Sequence, residues 1–328
     1  MKPTSSDRID GSLVLYHAVS SYQLLEVLLH RQAVHPQDRA VLILPDFITQ
    51  KYPQYRRLAS RGWFDEVYLF PYLQIPHRAE EVVRQDVRRW YRQIVPHPIT
   101  AFSAVYVAGA HFYFSLYLLD EQIPFVFFED AAGMLSRADE LSAALSQKFP
   151  IHAAIARRSG LFTGEHPLVR RVICLKSAQS IPVPSPRYDN FSVQEQLEQM
   201  PPDKRRRLVR LFLRRRIRTR AQAVLLTQQF AGLGAMTLEQ QRRLYERLGQ
   251  TVLRHVRLII KRHPDDTLHY ADIFPQAEEI RAVFPSELLP YVFARRRPEL
   301  LYTFSSTGCE NLTHSFTIHK IERDRYVE

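Results

Sequence analysis

An α/β protein of two domains, each built on a parallel sheet, is the fold class that this sequence predicts, and three observations predict it. Short apolar runs rich in β-branched and aromatic residues alternate with stretches of helical periodicity. The 328 residues are enough for two domains that each bury a core. Between the two α/β runs, residues 181–186 read IPVPSP, and three prolines in six residues suit neither a helix nor a central strand.

Taken in order, Leu13–Tyr16 is a continuous apolar run of strand length, and Ser21–Arg31 after it is helical. Val41–Leu44, Glu66–Phe70, Ala104–Ala108 and Pro124–Phe128 read as the next four strands. The segments between them, Gln54–Arg61, Arg78–Tyr91 and His111–Glu121, read as helices, which completes one α/β domain. A basic helix is expected over Lys204–Arg220, where Leu208, Leu211, Phe212 and Ile217 recur near helical spacing. Ala223–Thr227, Val256–Lys261, Ala277–Phe284 and Leu300–Phe304 then supply the second domain. The expected division is a first domain at 1–180, a linker and basic helix at 181–222, and a second domain at 223–328.

Hydrophobic residues at 45% and charged residues at 24% exclude a disordered or fibrous chain. The polar start at Met1–Gly11 lacks the layout of a secretory signal, and no apolar run approaches the roughly 20 residues of a membrane span. A cytoplasmic protein is the expectation. Cys174 and Cys309 lack CxxC or Cys/His spacing, so structural thiols are expected rather than a disulfide framework or a zinc site.

The net charge of +11 and pI near 9.7 speak to partners rather than to fold. Lys204–Arg220 alone holds ten Lys/Arg and no acid. It reads either as a solvated helix face or as a dock for an anionic membrane surface. No DNA- or RNA-binding motif accompanies it, so nucleic acid is not an expected partner.

Open parallel sheets bind ligands beyond the carboxyl ends of their strands, and four strand-end loops carry chemistry. In FFEDAAG, Glu129 and Asp130 follow a strand, and either suits a general base; an acidic helix start favoured by the dipole is the plainer reading. Gly133 would admit close approach of backbone to a ligand. In IIKRHPDD, His263 beside Pro264, backed by Lys261 and Arg262, suits a departing phosphate, although His-Pro alone is often only a turn. In YTFSSTG, Ser305, Ser306 and Thr307 form either an anion cradle or an N-cap with Glu310 behind. In LLTQQF, Thr227 and Gln228 end a strand. GxGxxG, GxxxxGK[ST], GxSxG and DxD are all absent, which argues against dehydrogenases, P-loop enzymes, elbow hydrolases and a metal-held sugar nucleotide.

Taken in order, YHAVSSYQLL, FFEDAAG, LLTQQF, IIKRHPDD, FPSELL and YTFSSTG resemble the motif series of the family 52 glycosyltransferases, which include bacterial lipooligosaccharide sialyltransferases. Their layout is also similar to that of bacterial polysialyltransferases. The resemblance spans Leu13 to about Asn311, and it rests on order and spacing rather than on any single piece. It implies a GT-B fold, two Rossmann-like domains facing a central cleft, with CMP-sialic acid as donor, inversion at the anomeric carbon and no required metal or other cofactor. It gives Asp130 or Glu129 the role of base and His263 that of phosphate partner or acid. Ser305 and Ser306 become the cradle, and Glu287 in FPSELL the grip on the donor ribose. The family's acid-acid-Gly is longer here, and Glu239 and Glu246 lie where some members place the base, which makes Glu239 the reserve candidate.

A glycan or glycolipid acceptor is implied, and Lys204–Arg220 would hold the enzyme peripherally on the inner face of the inner membrane. The oligomeric state, a homodimer included, is left open. A transferase of Kdo or another capsule sugar fits the same motifs, and a non-catalytic nucleic-acid-binding protein built on the basic run is the rival from another class.

Overall fold

The computed structural model describes residues 12–76, 78–110, 112–130, 133–175, 186–304, 309 and 312–326. The chain divides into two compact units, Met1–Leu197 and Glu198–Glu328.

The first unit begins with β1 (Leu13–His17) and α1 (Ser21–Val34), the helix capped by Ser20, whose hydroxyl accepts the Gln23 N–H at 3.1 Å. β2 (Arg39–Pro45) is followed by two single-turn helices, α2 (Ile48–Lys51) and α3 (Arg57–Ser60), and then by β3 (Glu66–Phe70). The helix expected over Gln54–Arg61 is thus broken: Pro53 opens a 3₁₀ turn, and Gly62 at φ +69° ends the segment. α4 (Glu80–Ile94) buries Val83, Val87 and Tyr91, one residue per turn along a single stripe. β4 (Ala104–Ala108), α5 (Tyr113–Asp120) and β5 (Phe125–Phe128) fall where expected. Beyond them lie α6 (Ala138–Lys148), α7 (Pro150–Arg158), β6 (Val169–Cys174), β7 (Tyr188–Asn190) and α8 (Val193–Gln199).

Among the described residues the first sheet has seven strands in the order β3-β2-β1-β4-β5-β6-β7, every pair parallel. The strand order reverses direction between β1 and β4, which makes that gap the topological switch point. β7 pairs with β6, so the first sheet extends past the expected boundary at 180. The expected linker at 181–186 lies outside the described residues except for Pro186.

The second unit contains α9 (Pro202–Phe212), β8 (Ala223–Leu226), α10 (Leu238–Gln250), β9 (Leu258–Lys261) and β10 (Glu278–Ile280). The chain continues through α11 (Leu289–Val292), β11 (Leu300–Thr303) and β12 (Thr317–Lys320). Its sheet is parallel in the order β10-β9-β8-β11-β12, with the same reversal, now between β8 and β11. The basic helix stops at Phe212 rather than continuing to Arg220. Leu213 turns extended, and Ile217 instead pairs with the α11 exit: its N–H donates to Val292 O, and its carbonyl accepts the Ala294 N–H, both at 2.8 Å. α10 starts with a reciprocal capping box between Thr237 and Gln240. No helix among the described residues is long and apolar enough to cross a membrane.

Candidate active site

In the first unit the carboxyl ends of β1, β4 and β5 gather the chemically loaded side chains. His17, fully buried at the end of β1, stacks on Phe114 and donates from Nδ1 to Ala108 O at 3.0 Å. Its Nε2 accepts from the Tyr72 hydroxyl at 2.9 Å, which in turn accepts the Phe114 N–H at 3.1 Å. This chain ties β1, β4 and α5 together at the switch point. Its histidine sits in the YHAVSSYQLL motif, where sequence reasoning gave it no role.

Gln23 bridges the same edge. Its Oε1 accepts the Val19 N–H at 2.9 Å, and its Nε2 donates to Asp130 Oδ1 at 2.5 Å. Gly109, at the exit of β4, has φ +73°, and a Cβ there would lie 2.7 Å from Val19 Cγ2, so no side chain fits. Adjacent in sequence, Glu129 and Asp130 part company in space. Glu129 is buried, and its two oxygens accept the N–H groups of Leu135 at 3.1 Å and Leu175 at 2.8 Å, so it braces the loop to the end of β6. Asp130 is only half-buried, which leaves it the acid of the pair with solvent access. Ala131 and Ala132 lie outside the described residues, whereas Gly133 is in the left-handed region, at φ +79°. Burial pushes the Cys174 thiol up to about 12, and the neighbouring Glu129 carboxylate adds to the effect. Cys174 is therefore a protonated packing residue, and Cys309 is likewise buried.

In the second unit a buried carboxylate that sequence reasoning passed over organises the loops after β8 and β9. Asp266 accepts four hydrogen bonds. Oδ1 takes the Gln241 amide at 2.9 Å and the Leu268 N–H at 3.1 Å, while Oδ2 takes the Thr227 hydroxyl at 2.9 Å and the Tyr270 hydroxyl at 2.6 Å. Thr227 passes the order on, because its Oγ1 accepts the His263 N–H at 3.0 Å. Gln228 is held by the Tyr245 hydroxyl on its N–H at 2.9 Å and by Gln241 on its carbonyl at 3.1 Å. Thr227, Gln228 and His263 are therefore brought together, and α10 fastens them through Gln241 and Tyr245.

The His263 ring accepts the Asp265 N–H at Nδ1, 3.2 Å away, which assigns the imidazole proton to Nε2. Pro264 beside it is exposed. Lys261, at the end of β9, is buried with its Nζ 5.0 Å from the centre of the Phe284 ring. Burial lowers its pKa to about 8, and the charge of buried Glu287 partly restores it. Glu239 stands apart from this cluster, exposed on the first turn of α10 and ion-paired to Arg243 at 3.0 Å; Glu246 pairs similarly with Arg242 at 2.9 Å. Ser305, Ser306 and Thr307 lie outside the described residues. Just before them, Thr303 ends β11 fully buried, its hydroxyl without a hydrogen-bond partner among the described residues.

Each unit thus carries its polar, ordered loops at the carboxyl edge of a doubly wound parallel sheet, beside the reversal of strand order, where such sheets receive ligands. No family model and no curated protein matches the chain. Solved structures do. The S. aureus MnaA–UDP co-structure matches with a TM-score of 0.57 at 10% identity, over 94% of this chain and 78% of that one. The fold is GT-B. Arabidopsis thaliana UGT89C1 complexed with UDP-L-rhamnose matches at a TM-score of 0.55 and 13% identity, over 94% of this chain and 79% of the other. The Neisseria meningitidis UDP-GlcNAc 2-epimerase bound to UDP-GlcNAc matches at 0.52 and 13% identity, over 96% and 84%. At such identities the shared property is the GT-B architecture itself.

Proposed function

We propose that this GT-B protein is an inverting glycosyltransferase that takes its sugar from a nucleotide donor without a metal. The motif series favours CMP-sialic acid as that donor and family 52 as its place. The observation that carries the reading is the Asp266–Thr227–His263 network at the ends of β8 and β9. It fixes His263 on a loop of the kind that meets the phosphate of a nucleotide in doubly wound sheets, with the imidazole proton at Nε2. Neighbours of the same fold are bound to UDP or UDP-sugars, which supports a nucleotide partner for this chain.

In this mechanism the acceptor hydroxyl attacks the anomeric carbon as the bond from that carbon to the phosphate oxygen breaks. Asp130 receives the hydroxyl proton, and the nucleoside monophosphate departs with the bonding electron pair. His263 Nε2–H donates to the phosphate oxygen that gains charge, with Ser305, Ser306 and Thr307 as further donors. Glu287 grips the ribose, and Thr227, Gln228 and Lys261 shape the nucleotide's seat. A cell-surface glycan or glycolipid is the acceptor.

A thermal-shift series with CMP, UDP and GDP identifies the base, and hydrolysis of CMP-sialic acid, CMP-Kdo and UDP-sugars identifies the sugar. His263→Ala should lower turnover by about 10²-fold with the fold intact, the effect of removing a preorganised donor. Near-full activity in that variant would end the proposal. The match to a UDP-GlcNAc 2-epimerase favours a second reading, sugar-nucleotide epimerisation. Incubation with UDP-GlcNAc and no acceptor, followed by proton NMR, decides it: appearance of the 2-epimer replaces the transferase reading.

A further inference from the structure

The second unit carries a basic cavity whose lining includes none of the residues placed in the candidate active site. Its volume is about 740 Å³, and it lies along α9, the 213–218 strap, which bends at Arg214 and Arg215, and the α11 exit. Six arginines, Arg206, Arg210, Arg214, Arg215, Arg216 and Arg218, line it and are exposed. None of the six enters an ion pair among the described residues, and no acid is part of the lining. The floor is apolar, formed by Val209, Leu213 and Phe293, all buried, with Pro290 and Ala294.

So many guanidinium groups around one concavity repel one another, and an anion in their midst relieves that repulsion. Arginine forks also match phosphate oxygens two at a time. The strap is held open for this by the pairing of Ile217 with the backbone of Val292 and Ala294, which turns Arg216 and Arg218 out on either side of a bonded residue. A helix running on to Arg220 would have distributed these charges around its axis.

We propose that this groove is a dock for the surface of an anionic phospholipid bilayer, the arginines on headgroup phosphates and the apolar floor facing the lipid. Nucleic acid fits it less well. Single strands are gripped by exposed aromatic faces on which bases stack. Here Tyr291 already has the Arg205 guanidinium over its ring at 4.6 Å, and Phe293 is buried.

Flotation of the full chain with vesicles of phosphatidylglycerol and phosphatidylethanolamine, against phosphatidylcholine alone, tests the proposal. Wild type should float with the anionic vesicles and be released by raised salt. The triple variant Arg214→Gln, Arg215→Gln, Arg216→Gln should partition about 100-fold more weakly, from the contribution typical of each basic residue near such a surface. Arg206→Gln with Arg210→Gln, on the helix rather than the strap, should lose about 30-fold, and equal thermal midpoints verify folding in both. Equal flotation on neutral vesicles, or unchanged flotation of both folded variants, would overturn the proposal. So would release by sodium phosphate beyond chloride of equal ionic strength, which would mark a site for a single phosphate. Displacement from vesicles by a stoichiometric single-stranded oligonucleotide would assign the groove to nucleic acid instead.

Discussion

Replacing Asp266 with Asn removes one charge and converts one acceptor into a donor, while keeping the shape. The amide oxygen can keep two of the four incoming bonds, but its NH₂ must then face the other two donors. If it faces Gln241 and Leu268, the Leu268 backbone N–H cannot reverse, and if it faces Thr227 and Tyr270, both hydroxyl protons lose the oxygen that accepted them. Two bonds to a buried carboxylate are lost, at about 1.5–3 kcal/mol each, so the second unit should lose roughly 3–5 kcal/mol. The thermal midpoint should drop by roughly 10–15 °C. Urea unfolding gives the free energy directly, and calorimetric titration of the nucleotide found by thermal shift gives the functional cost. A double-mutant cycle with Thr227→Val isolates the pair, whose coupling should exceed about 1 kcal/mol. If Asp266→Asn unfolds within about 0.5 kcal/mol of wild type, the carboxylate does not organise these loops and the reasoning fails.

Glu129→Gln should cost about 2–3 kcal/mol, because an amide would face the N–H of Leu135 or Leu175, whereas Asp130→Asn should leave urea unfolding unchanged and lower turnover. The opposite pattern, stability lost at Asp130 and turnover at Glu129, would exchange the two roles. Lys261 has a folded-state pKa near 8, below its ordinary 10.5, so between those values the unfolded chain binds more protons and stability should rise with pH. The penalty, about 3 kcal/mol, is complete below pH 8 and fades towards 10.5. Because the raised thiol of Cys174 and the raised hydroxyls of Tyr245 and Tyr270 pull the other way above about pH 9, the test is the difference: the urea midpoint of wild type should climb relative to that of Lys261→Met across the window, and parallel curves would place the titrating group elsewhere.

The first five strands were legible because a strand covered on both faces reads as an unbroken apolar run, as in the buried VLIL of β2. β6 escaped notice because Arg170 and Arg171, both exposed, interrupt its run, and β7 is a three-residue edge strand with no apolar core of its own. α10 was signalled by the TLEQ capping box, a cue in plain sight that sequence reasoning did not use. The basic helix was overextended because Ile217 fits helical spacing as well as it fits a bridge, and only the α11 exit decides between them. Periodicity cannot separate Glu129 from Asp130, since it does not report which neighbour turns inward. Asp266 was still harder to see. Its role depends on Gln241, 25 positions earlier, reaching it across the fold.

Gly109 constrains how this molecule can be altered. A methyl group at that spot would press on Val19 and on the amide of Gln23, the same amide that holds Asp130. Positions 19, 23, 109 and 130 therefore form an interlocked quartet, in which enlarging one member displaces the next. Anyone diversifying the first unit to accept different molecules should spare all four and vary instead the turn after β2, where Phe47 is only partly covered.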